Sequence, residues 1–291
     1  MANKTLKPKT KPVSGGTVEE LEEQEMREEG SATLAKGVSL ADDEPTEYEL
    51  LCGYTDSDGV KHKTYTLREM TGRDEEAISK PDVKQNPTKA INLLLARCVL
   101  SIGTLERRDF DFKEWENIIK SMYTGDQDVM LMQLRKLSIS DEIEVQHTCP
   151  NPNCRAKLNT VLSIDELEIK PFNGEEVIPF TLSKGYRDRK GEVHTEGTMR
   201  LCTGLDREIL TPLARKNLAR ANTVLLTRLC KFTDGLRVDE DVMASLNVRD
   251  REYLNTLLNE NVFGYDLSVG VECDQCGETF RGVLSAVNFL H

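Results

Sequence analysis

The chain has 291 residues, of which 38% are hydrophobic and 30% charged, and its formal net charge is −12. That length suits two ordinary domains, or one domain made of two halves, with a soluble globular balance. The acidic excess argues against a nucleic-acid binder, which needs a basic footprint to displace phosphate counterions, and no apolar run approaches the roughly 20 residues that cross a bilayer.

Residues 1–46 read as a flexible N-terminal tail. Lys4, Lys7, Lys9 and Lys11 alternate with Pro8 and Pro12, with no apolar stretch behind them, so no secretory signal is expected and synthesis in a cytoplasm is. A Glu-rich stretch follows from Glu19 to Glu29, with Thr17 and Glu20 in a capping-box pattern. Only Val18, Leu21 and Met26 are apolar there, which is too few to bury a face. The segment is expected to be an inert extension or a docking arm.

Order is expected from Glu47. Residues 47–54 and 60–68 are strand-like, joined by turn chemistry at Thr55–Gly59. Thr71-Gly-Arg-Asp74-Glu-Glu76 starts a helix, and apolar spacing predicts helices over 87–102, around Trp115, and from Asp126 to Leu137. Strands over 141–148 and 155–163 flank a turn that holds Cys149 and Cys154. The same order then recurs. A hairpin over 177–186 and 192–202 leads to Thr203-Gly-Leu-Asp206-Arg-Glu208, then a helix from Ala221 to Phe232. Asp126 to Cys149 aligns without a gap onto Asp250 to Cys273, and Val161-Leu-Ser163 matches Val283-Leu-Ser285. Similarity in one order along a whole unit indicates an internal duplication.

The expected fold is α+β: an internally duplicated hairpin–helices–hairpin unit, packed about a pseudo-two-fold axis, with a cysteine zinc knuckle ending each unit. Unit one spans 47–170 and unit two 171–291, divided where Pro171 and Gly174 break regular structure.

Eight cysteines in a reducing compartment do not suggest a disulfide framework. Cys52, Cys98, Cys202 and Cys230 stand singly among apolar residues and read as buried small hydrophobes. Cys149/Cys154 and Cys273/Cys276 form close pairs between predicted strands, at spacings that suit zinc. One pair supplies two ligands and a structural zinc takes four, so the two knuckles are expected to share one Zn2+ and staple the units together. Two reversible disulfides, or separate sites completed by His147 or another subunit, are the alternatives. Four thiolates favour a closed structural site over a catalytic one with an open position, and His147 is disfavoured as a ligand.

No glycine-rich phosphate loop, nucleophile elbow or His-Glu-x-x-His helix occurs, and His62, His147, His194 and His291 are scattered. Asp74/Glu76 and Asp206/Glu208 read as helix N-terminal acids. No enzyme is expected.

Asp126-x-x-Val129, then Leu134-Arg135-x-x-Ser138, then Cys149 and Cys154, resembles the baseplate hub protein family of T-even-type contractile-tailed phages. Tyr65-Thr-Leu-Arg-Glu-Met-Thr-Gly-Arg-Asp74 is also similar to the start of many phage tail assembly chaperones. The resemblance covers 47–170, and the second half only through the repeat, where Leu258-Asn-Glu-Asn261 replaces Leu-Arg-x-x-Ser. It implies a structural component of the virion tail baseplate, in several copies, binding other tail proteins and present in the host cytoplasm during assembly. Alternatives are an assembly chaperone absent from the virion and a zinc-ribbon nucleic-acid-binding regulator.

Overall fold

A computed structural model describes residues 46–284. The tail expected at 1–46, apart from its last residue, and the C-terminal residues 285–291, including Ser285 and His291, therefore lie outside the described residues. The described chain is mixed α and β, with nine helices and several small sheets.

In the first half, β1 (Glu47–Thr55) and β2 (Lys61–Leu67) form an antiparallel hairpin. Helices α1 (Gly72–Ser79), α2 (Pro81–Lys84) and α3 (Pro87–Cys98) follow. The helix expected over 87–102 ends at Cys98. Val99–Ile102 is instead β3, paired with β2 and followed by the short β4 (Leu105–Glu106). The periodicity runs on smoothly, but β-branched Val99 and Ile102 meet the free edge of β2, whose ladder bonds satisfy their backbone. Helices α4 (Phe112–Ser121) and α5 (Thr124–Ser138) lead into the hairpin β5 (Glu142–Thr148) and β6 (Lys157–Ser163), and β7 (Ile169–Lys170) ends the half.

The second half begins with the hairpin β8 (Val177–Arg187) and β9 (Val193–Arg200). Helices α6 (Gly204–Lys216) and α7 (Leu218–Leu229) come next. The helix expected from Ala221 to Phe232 likewise stops early, and Cys230–Phe232 is β10 on the edge of β9. After α8 (Glu240–Ser245) and α9 (Val248–Glu260), β11 (Gly264–Tyr265) pairs with β7 of the first half. The closing hairpin is β12 (Ser268–Glu272) with β13 (Thr279–Val283).

The core is divided unevenly. The larger cluster gathers Tyr65, Leu94, Leu95, Ile102, Trp115, Ile119, Met130 and Leu134 with Ile143 and Val145 of β5. Tyr265, Leu267, Val269 and Leu284 of the second half also pack there. A smaller cluster unites Phe180, Met199, Leu226, Phe232, Met243 and Leu254. The helix pair α5 and α9 accounts for the difference. Consecutive apolar residues from Val129 to Met132 bury α5 on more than one side, whereas α9 buries only Asp250 and Leu254 and exposes Val248 and Tyr253. Both knuckle hairpins thus reach the first-half core.

Candidate metal centre

Strand alternation positions the first knuckle. Along β5, Ile143, Val145 and His147 point inward in a strict two-residue period, and Cys149 continues it. The Cys149 N–H donates to Ala156 O (2.9 Å), closing the ladder, and Cys154 N–H turns back to Asn151 O (3.1 Å). In the second knuckle Cys273 N–H donates to Glu278 O (2.8 Å) and Gly277 N–H to Cys273 O (2.8 Å). Each second cysteine is followed by a residue in the left-handed region: Gly277 at φ 71° and Arg155 at φ 47°. Glycine adopts this freely. Arginine is strained there by roughly 1–2 kcal/mol, a cost the surrounding turn must offset.

The two turns face each other. Cys149 Sγ lies 3.7 Å from Cys276 Sγ, and Cys154 Sγ 3.8 Å from Cys273 Sγ. All four sulfurs lie within 4.8 Å of one another. Both of these pairs run between the knuckles, and their separations are far beyond the roughly 2.05 Å of a disulfide. Four thiolates bound tetrahedrally at about 2.3 Å would sit about 3.8 Å apart. The cluster is therefore compatible with a metal site. Leu158, Val271 and the partly buried Phe280 surround it with apolar walls.

Electrostatics within the cluster are uneven. Burial works to raise the Cys273 thiol, but N–H groups of Gln275 and Cys276 and the thiols of Cys276 and Cys149 hold it below its ordinary value. Burial, then the neighbouring Cys273 and Cys154, raises Cys149. For Cys276 the Glu278 N–H pulls downward, yet burial and the other thiols push it up to about 12. Four such sulfurs cannot all ionise side by side without a cation among them.

His147 is buried beside this centre but lies outside the four-sulfur group. Its ring meets Phe280 edge-on at 6.2 Å, and it occupies the space a Cβ on Gly282 would need. Its place is packing between the hairpins. The single cysteines are as inert as their surroundings suggest: burial pushes Cys52, Cys98 and Cys230 up to about 12 and Cys202 to about 11. Cys202 is half-buried, and the other three are buried.

Two further constellations occur once in each half, and only fragments of them are visible in the sequence. Asp74 caps α1 through Thr71 and accepts from Arg68 Nη1 (2.7 Å), Arg68 Nη2 (2.9 Å) and Arg97 Nε (2.7 Å). Asp206 does the same through Thr203, with Arg200 Nη1 (2.6 Å), Arg200 Nη2 (2.9 Å) and Arg228 Nε (2.7 Å). Both aspartates are fully buried. Burial opposes their ionisation, but the guanidinium pairs win, holding Asp74 well below the carboxylate range and Asp206 at about 2. The Thr-Gly-x-Asp motif and the arginines of the following helix are legible in sequence. The arginine six residues before each aspartate is the missed signal.

Asp126 and Asp250 make the second pair. Each carboxylate, in the first turn of its helix, accepts three backbone N–H bonds from a bulge in the preceding hairpin. For Asp126 these come from Leu51 (2.7 Å), Cys52 (3.1 Å) and Gly53 (2.9 Å). For Asp250 they come from Ser183 (2.9 Å), Lys184 (3.2 Å) and Gly185 (2.9 Å). Gly53 and Gly185 adopt φ of 93° and 68°, so that three successive amides can converge on one carboxylate. Burial dominates at Asp126 and raises its pKa. At Asp250 the Ser183 hydroxyl and Asn247 amide join the backbone donors and lower it to about 2. Arg135 and Ser138, which carry the family resemblance, anchor α5: Arg135 Nη2 donates to Glu142 O (2.8 Å) and Ser138 Oγ accepts from Met70 N–H (2.9 Å).

Residues 54–187 match the family model described as T4 bacteriophage base plate protein, which supports a T4-type phage baseplate protein family for this stretch. The matched stretch contains the first knuckle, Asp126 and the Leu134–Ser138 motif, and ends at the close of β8. No curated protein and no solved structure matches the chain. Among the described residues, no helix is long and apolar enough to cross a membrane.

Proposed function

We propose that this chain is a non-enzymatic structural component of a contractile phage tail baseplate or hub, present in several copies and binding other tail proteins. The observation that carries the reading is the baseplate family match over 54–187. The N-terminal tail at 1–46 is the proposed docking arm.

Within that role, residues 47–170 and 171–291 are two copies of one unit, stapled by one structural Zn2+ on Cys149, Cys154, Cys273 and Cys276. Support for the duplication comes from the paired constellations: Arg68–Asp74–Arg97 with Arg200–Asp206–Arg228, and the bulge-capping Asp126 with Asp250. Support for zinc comes from sulfur spacings of 3.7 and 3.8 Å, near the tetrahedral value. The bound ion would neutralise thiolates and link two chain segments that no disulfide joins. It supplies no reaction.

A mass-spectrometric inventory of purified virions tests the function. Recovery of this chain at fixed stoichiometry with other tail proteins is expected. Its presence in infected cells and absence from virions would replace the reading with an assembly chaperone. Protein dialysed against chelator should retain about one zinc per chain, released by a thiol-reactive mercurial; metal-free protein with two cystines would remove the staple.

A further inference from the structure

The two hairpins β1–β2 and β8–β9 are closed by the same five-residue turn, yet they surround their histidines differently. In Asp56–Val60, Asp56 Oδ1 accepts from Asp58 and Val60 N–H (both 2.9 Å). In Asp188–Glu192, Asp188 Oδ1 accepts from Lys190 and Glu192 N–H (both 2.9 Å). Each turn thereby leaves its other carboxylate oxygen aimed at the histidine on the next strand.

His62 uses both of its nitrogens. Nε2 bonds Asp56 Oδ2 at 2.9 Å, and Nδ1 faces the Thr104 N–H at 3.4 Å. The second hairpin carries Glu192 where the first has Val60, and Asp234 takes the place of Thr104 at the histidine. His194 Nδ1 now bonds Asp234 Oδ2 at 2.5 Å. A carboxylate on Nδ1 requires the proton there, so in neutral imidazole Nε2 holds a bare lone pair. That atom has no hydrogen-bond partner among the described residues, although His194 is only 7% exposed. Asp188 Oδ2 stands 3.8 Å from it, too far to bond, and the ligand atoms of Asp188, Glu192 and His194 lie within 4.8 Å of one another. Tyr186, stacked at 6.2 Å, and Phe232, at 6.0 Å, hold the ring in place.

A lone pair and two carboxylates converging without a donor call for a cation. We infer that Asp188, Glu192 and His194 form a second metal site, taking a borderline divalent transition ion such as Zn2+ through one imidazole nitrogen and two carboxylate oxygens. Asp234 is the orienting partner, fixing the tautomer as carboxylates do behind metal-bound histidines. Ligands at 2.0–2.2 Å in a tetrahedral site lie roughly 3.3–3.6 Å apart, so closing the 3.8 Å gap takes a shift of a few tenths of an ångström. Two carboxylates from the turn, with Glu192 exposed, and one imidazole from the strand that follows leave a coordination position open to water or to a carboxylate or imidazole of a neighbouring protein. The first hairpin, with valine in place of glutamate and both histidine nitrogens occupied, offers no such site.

The test is a calorimetric titration of Zn2+ into the full chain after chelator dialysis, which leaves the thiolate cluster as it stands in every protein compared. Wild type should take up one additional equivalent. Glu192→Val, which installs the residue of the first hairpin at an exposed position, should weaken that uptake at least tenfold. Asp188→Asn, which keeps the turn-capping oxygen, should do the same. Long-range 1H–15N spectra should show the His194 Nε2 resonance move on zinc addition. The inference is overturned if no additional equivalent binds, or if both variants bind as wild type does. It is equally overturned if Nε2 is protonated and indifferent to zinc, which would make His194 an imidazolium paired with Asp188. None of these outcomes depends on whether the chain is found in virions.

Discussion

Replacing Asp206 with asparagine removes the buried charge from the centre of a three-residue constellation, whose two arginines are half-buried, while preserving its shape. The carboxylate bridges Arg200 and Arg228 through three hydrogen bonds of 2.6–2.9 Å and caps α6 through Thr203. Its pKa is lowered from 3.8 to about 2, with burial opposing and Arg200 first among the causes that lower it. A depressed native pKa stabilises the fold at every pH above the unfolded value, and the gain is lost as pH falls through the native one. The shift corresponds to about 2 kcal/mol at pH 5 and above, roughly half that at pH 3, and a few tenths at pH 2. Asparagine also leaves two guanidinium groups facing an uncharged amide, so the full cost at neutral pH is expected at about 3–5 kcal/mol. Denaturant unfolding of both proteins from pH 7 to pH 2.5 measures this. The cysteine cluster and all other carboxylates are common to both and cancel in the difference. The gap should be widest at pH 5–7 and narrow by about 1.5 kcal/mol by pH 2.5. A gap independent of pH would refute the assignment of the stabilisation to the Asp206 charge.

Other perturbations have definite expected outcomes. Arg155→Gly should stabilise the chain by roughly 0.5–1 kcal/mol, because glycine relieves the left-handed strain at φ 47°; an unchanged or lower melting midpoint in metal-replete buffer would contradict this. Gly282→Ala puts a methyl group into the His147 ring and should destabilise by about 1–3 kcal/mol, with hydrogen-exchange protection falling in both knuckle hairpins. Cys276→Ser should raise hydrogen exchange around Cys149 as well as around Cys273, since its sulfur lies 3.7 Å from that of Cys149; loss confined to β12–β13 would show that the knuckles act separately. Gly204→Ala should destabilise by about 1–3 kcal/mol where the halves meet, because the added Cβ strikes the Gln127 amide, itself bonded to Asn92 (3.0 Å) and Ile119 O (2.8 Å).

The family resemblance and the four cysteines were legible because they are local. A hairpin with turn chemistry, an amphipathic helix and a cysteine turn between strands are each set by a dozen or so residues. Helix ends at Cys98 and Leu229 were not legible, because an apolar period continues into β3 and β10 and only the neighbouring strand edge decides where the helix stops.

The amino-acid sequence by itself determined the order of the long hairpins and main helices, the paired cysteines and the acids that start the helices, since these rest on spacing and side-chain chemistry. Tertiary structure alone decided which charges meet. Arg68 and Arg97, far apart in the chain, converge on Asp74, and the amides of a hairpin bulge converge on Asp126. It also decided that sulfurs more than a hundred residues apart lie within 4.8 Å, and that His194 turns its open nitrogen towards Asp188 while His62 does not. The physical reason is common to all of these. Hydrogen bonds and metal ligation depend on distances of a few ångströms, and those are fixed by how helices and hairpins pack, which no local pattern encodes.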